Sequence, residues 1–101
     1  MRHVVKRLRS PKTLRLTGEV WREGRMYTAY CRELDIASCG RTVEEAWRNL
    51  HEAFEVFLEE TAKKGTLHEL LEEAGLVAQG ETLERPEYFI GRMELPLPAS
   101  R

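Results

Sequence analysis

The residues of this chain that could do chemistry are two thiols, three imidazoles and a set of carboxylates. Cys31 and Cys39 could serve as nucleophiles beside a histidine, yet their spacing fits no zinc motif, and the strand register given below points Cys31 into the core, where small thiols commonly sit. His51 lies between Arg48 and Glu55 on a helical stretch, and His68 stands two residues into a second one, so both read as surface residues. A nuclease working through two divalent ions needs several carboxylates converging on them. The chain has one aspartate, Asp35, and sixteen glutamates, most of them on solvated helix faces. The expectation is a protein with no catalytic residue, no metal ligand and no cofactor.

Charge is the next chemical property, and its distribution matters more than its sum. The net charge is −1 over 101 residues, too small to draw the whole molecule onto nucleic acid. Residues 1–12 nevertheless hold Arg2, Lys6, Arg7, Arg9 and Lys12 with no acid, giving +5, and residues 13–101 carry −6. A basic arm thus precedes a single acidic domain. Its five cations could contact phosphates, or they could belong to a solubilising terminus or an element packed through Val4, Val5 and Leu8. No apolar run reaches the roughly 18–20 residues that span a bilayer, and no signal peptide is visible. A cytoplasmic protein with reduced thiols is expected.

The elements that position these groups follow from periodicity. From Thr13 apolar and polar residues alternate, placing Leu14, Leu16, Gly18 and Val20 on one side of a half-buried strand. Glu23-Gly24 reads as a two-residue turn, which sets Val20 opposite Tyr27, Gly18 opposite Ala29 and Leu16 opposite Cys31 on a second strand over 25–32. The reverse face carries Trp21, Met26 and Tyr30, aromatic and methionine residues of the type enriched at interfaces. A short third strand, 36–39, precedes Gly40.

Thr42 then caps a long helix, and Glu45 completes a capping box. Val43, Ala46, Trp47, Leu50, Ala53, Phe54, Phe57, Leu58 and Thr61 fall within an arc of about 140°, the width of a core-facing stripe. Glu45, Glu52 and Glu59 surround the anomalous Val56 on the polar side. Thr66 with Glu69 predicts a second capping box for a short helix over 67–74. Residues 76–87 read as irregular, and the alternation over 88–95 predicts a fourth strand ended by Pro96 and Pro98. The fold class is therefore α+β: an antiparallel sheet of three or four strands with the 43–62 helix on one face and a short second helix.

In this order the residues from Met26 through Glu60 resemble the HicB antitoxin family. The shared pattern is Tyr27 and Ala29 on a strand, Glu33-Leu34 in a loop, then Gly40, Thr42, Glu44-Glu45-Ala46, Asn49-Leu50 and Glu52-Ala53. The match covers about a third of the chain, and Arg32 stands where many members have proline. The resemblance implies a partial ribonuclease-H-like fold and a non-enzymatic antitoxin that sequesters a HicA-type messenger-RNA-cleaving toxin. It also implies self-association, as a homodimer or homotetramer. Family members often carry a separate DNA-binding domain, whereas residues 66–101 offer one short helix and one strand. The alternative from another class is a stand-alone nucleic-acid-binding regulator using the basic arm. For partner contacts the candidates are Trp21, Met26, Tyr30, Glu45, Glu52, Val56 and Glu59; Ala29, Gly40, Thr42, Glu45 and Ala46 are structural.

Overall fold

The computed structural model of the chain describes residues 11–99. Of the basic arm, Arg2, Lys6, Arg7 and Arg9 lie outside the described residues. In chain order the elements are β1 (Thr13–Leu14), β2 (Gly18–Glu23), β3 (Met26–Cys31), β4 (Ile36–Gly40), α1 (Val43–Lys64), α2 (Leu67–Glu73), β5 (Val77–Gln79) and β6 (Thr82–Glu84). The main sheet is antiparallel in the order β2-β3-β4, and a smaller one runs β1-β6-β5 with β1 parallel to β6. The α+β class is as expected, with one long helix on the main sheet and a short second helix.

The β2–β3 hairpin pairs Glu23 with Met26, so its loop is Gly24-Arg25 rather than Glu23-Gly24. Gly24 has a φ of 64° at the first central position, which the II′ turn reserves for glycine. The register consequently moves by two residues, to Val20 opposite Ala29 and Gly18 opposite Cys31. A shift of two keeps every side chain on its face. Val20, Ala29 and Cys31 still look toward α1, and Ala29, Cys31, Ala46 and Leu50 are buried, with Val20, Tyr27, Ile36 and Phe54 packed around Ala29, Ala46 and Leu50.

Gly40 sets how closely α1 approaches the sheet. A Cβ there would stand 2.5 Å from the Ala46 nitrogen and 2.8 Å from the Glu45 carbonyl carbon, so the first turn of α1 rests directly on the end of β4. Thr42 accepts the Glu45 N–H at 3.0 Å. Glu45 in turn accepts from the Arg41 N–H, one residue before the partner that the capping box predicts. Gly65 closes α1 in the left-handed conformation.

Four further expectations are corrected. The alternation from Thr13 is two strands, because Arg15 donates its backbone N–H to Leu83 in the small sheet while Thr17 donates its own to Glu33. Thr66 makes no side-chain cap, its ψ of 2° departing from the extended geometry of a capping residue. Residues 77–84 form a hairpin where irregular chain was expected. Residues 88–95 are not a strand: the alternation is present, but a strand also needs a ladder partner, and these residues pair with none among the described ones.

Candidate protein-interaction surfaces

Helix and sheet form two layers, and the residues singled out from sequence fall on opposite outer sides of them. On the sheet's open face Trp21 and Met26 are about two-fifths exposed. The Trp21 ring meets Tyr30 edge-on at 6.3 Å between centroids, a diagonal contact created by the register. Around this pair the side chains are tied down. Tyr30 donates its phenol to Asp35 at 2.9 Å, and Arg32 donates through Nε to Glu19 at 3.0 Å. The bond to Asp35 holds the Tyr30 phenol above its ordinary pKa, so the ring keeps its proton and presents a neutral surface.

On the outer side of α1, Glu52, Val56 and Glu59 are exposed, Val56 at 59%. Glu45 belongs with them by helical spacing, but it is partly buried, engaged with the Arg41 N–H and 4.0 Å from Arg48. Its carboxylate serves the helix start. The seven proposed contacts therefore divide into an aromatic sheet face and an acidic helix face, with the core between them.

Ala29 and Ala46 are completely buried and belong to one cluster, Gly40 is buried beneath the helix start, and Thr42 is its cap. Cys31 is buried and Cys39 exposed, both as free thiols. Burial pushes the Cys31 thiol above its ordinary pKa, which favours the unreactive protonated form. Among the described residues no group of three or more His, Cys, Asp or Glu side chains could hold a metal ion. No helix among them is long and apolar enough to cross a membrane.

Two features escaped the reading by sequence. Glu33 is only 7% exposed. Its two oxygens accept the Thr17 N–H at 3.1 Å each, and one accepts the Thr17 hydroxyl at 2.9 Å. Burial raises its pKa, but the hydrogen bonds from Thr17, from its own N–H and from Cys31 outweigh burial and hold the carboxyl below its usual range. The signal was parity: Glu33 follows Tyr27, Ala29 and Cys31 at intervals of two and keeps their inward direction past the strand's end.

The second is an apolar groove of about 270 Å³ between α1 and the segment entering β2, lined by Leu14, Leu16, Trp47, Leu50, Phe54 and Leu58, with His51 and Glu55 at its border. Trp47 stands over Gly18, where a Cβ would lie 2.6 Å from the indole. The indole is nevertheless 50% exposed, less covered than a core position requires, because one of its sides faces the groove. Comparisons with protein-family models, curated proteins and solved structures gave no match to this chain.

Proposed function

We propose that the chain is a non-enzymatic antitoxin of the HicB type, which binds and neutralises a HicA-type messenger-RNA-cleaving toxin. The observation that carries this reading is the acidic outer face of α1, where Glu52 and Glu59 flank the exposed Val56. These three side chains make no hydrogen bond or ion pair among the described residues and fill no core position, so the fold itself does not require them. A toxin that binds RNA presents cations to phosphates. An inhibitor bearing carboxylates on a rigid helix can occupy those cations, and the −6 of residues 13–101 steers the encounter. The resemblance over residues 26–60 supplies the identity of the partner.

The test is to examine the neighbouring genes for a small basic protein and co-express the chain with any such neighbour. Wild-type chain should restore growth and co-purify with it. The double reversal Glu52→Lys/Glu59→Lys should weaken both effects without changing the fold. Loss of neither effect moves the contact away from α1, whereas failure of the wild type to bind or neutralise the neighbour removes the antitoxin reading.

A further inference from the structure

The C-terminal segment presents an unusual surface. Phe89 and Met93 are each 88% exposed, Leu95 80% and Leu97 92%. These residues share one parity, with Gly91 between them, so that an extended backbone would carry them all on one side. Among the described residues nothing covers that side. The segment is anchored at its start, where the Arg85 guanidinium donates to the Ala74 carbonyl at 2.9 Å and stacks 5.2 Å above the Tyr88 ring. Beyond Ile90 every residue through Ala99 is exposed.

We infer that residues 89–97 of one copy seat in the groove between α1 and β2 of a second copy, and that two copies exchange these arms reciprocally. The inference concerns self-association and holds whether or not a toxin is the other partner. Three observations fit the arm to the groove. The first is length: Trp47 to Leu58 spans about 16 Å along the helix axis, and an extended run from Met93 to Leu97, four steps, covers about 13 Å and fits within it. Its three apolar side chains then meet Trp47, Phe54 and Leu58.

The second is an edge left unpaired among the described residues. β2 borders the main sheet, and α1 covers it least of the three strands. A strand laid there restores the fourth member that the alternation over 88–95 predicts. Pro96 and Pro98 have the opposite parity from the apolar residues, so their missing N–H groups face outward, and the new edge is closed to further pairing. The third is area: an arm of this length covers about 400–500 Å² of its acceptor and hides as much of itself, so reciprocal exchange buries about 1,600–2,000 Å², the size of a stable interface. Docking back onto the same chain would bury half of that.

The experiment joins mass to a local probe. Sedimentation at tens of micromolar should give a dimer for the full chain and a monomer for a chain ending at Glu87, with Met93→Asp/Leu95→Asp as a second variant that keeps the full length. In a Trp21→Phe background the remaining Trp47 reports on the groove. Its emission should shift to the red on dilution in step with the mass, and the truncated chain should show the red-shifted spectrum at every concentration. A monomeric full chain overturns the exchange, and so does a dimer that survives truncation. Dimer loss on truncation with Trp47 emission unchanged overturns the groove as the acceptor.

Discussion

Replacing Gly40 by alanine tests the central claim about the packing, that the helix start rests on bare backbone. The new Cβ would stand 2.5 Å from the Ala46 nitrogen, 2.8 Å from the Glu45 carbonyl carbon and 2.9 Å from the Glu45 Cβ. Carbon contacts relax to about 3.5–4.0 Å, so the first turn of α1 must lift by about 1 Å. Two of the three nearest atoms are backbone, and no side-chain rotation relieves them. Lifting the turn loosens Ala46, which is completely buried, and a gap of 0.5–1 Å forfeits roughly a quarter to a half of each dispersion contact.

Overpacking of this kind costs about 1–3 kcal/mol. Gly40 does not have positive φ, so alanine also gains about 0.4–1 kcal/mol by restricting the unfolded chain. The two effects oppose each other, and the sign of the result decides which is present. We expect a net loss of about 1 kcal/mol, read as a fall in Tm of about 4–8 °C for a domain of this size, or as a lower urea midpoint with unchanged slope. Protein concentration is held constant because association shifts apparent stability. A Gly40→Ala protein as stable as wild type would refute the close approach.

Glu33→Gln should destabilise by about 1–3 kcal/mol at pH 7, since an amide cannot accept on both sides from Thr17. The carboxyl's folded pKa is lowered, so its stabilisation is present above the unfolded value of about 4.3 and is lost as pH falls through the folded value. Urea midpoints of variant and wild type should therefore converge below pH 4; a constant gap would contradict the charge-assisted role. Thr42→Ala should cost about 1 kcal/mol through the lost cap, measured by the same unfolding curves, whereas Thr66→Ala, with no capping bond to lose, should be nearly silent. Cys39 should react with an aromatic disulfide at the rate of an exposed thiol and Cys31 at least about 100-fold more slowly until the protein unfolds; equal rates would show Cys31 to be accessible. Purified protein should leave RNA and DNA intact with magnesium or manganese, and cleavage abolished by Asp35→Asn would reverse the non-enzymatic reading.

The parts of the fold legible in the sequence are those specified locally. Thr42, Glu45 and Gly65 bracket α1 because a helix end is settled by groups within one turn. The faces of the hairpin survived a two-residue error in register because side chains alternate with period two. What could not be read depends on residues far apart. Nothing in the alternation over 13–20 marks the break at Thr17, which is made by a carboxylate sixteen residues away. The β5–β6 hairpin has three residues in each strand, too few for a period to emerge. The alternation over 88–95 is present, but pairing is a property of two segments and only one was visible. For the surfaces, residue type and parity already put Trp21, Met26 and Tyr30 on the sheet face turned from the helix and Val56 on the polar side of the helix, and what only the layers give is how far each is exposed.

Glu33 links several of these features and gives the Glu-Leu pair a physical meaning. One carboxylate collects two donors from Thr17 and one from Cys31, so it ends the entry segment, fixes the point where β2 begins and closes the inward row of β3. Burying a charge is tolerated because each bond it accepts favours the ionised form. The loop that carries it is held on its other side by Arg32, whose Nε reaches Glu19 on β2 at 3.0 Å. That ion pair is half-exposed and weak, so it restrains the loop less than a proline would. Glu33 therefore carries most of the loop's geometry, and with Gly40 it fixes the two places where the sheet meets the rest of the fold. The acidic face of α1 and the apolar arm stand outside that framework. Either one could vary without disturbing the core.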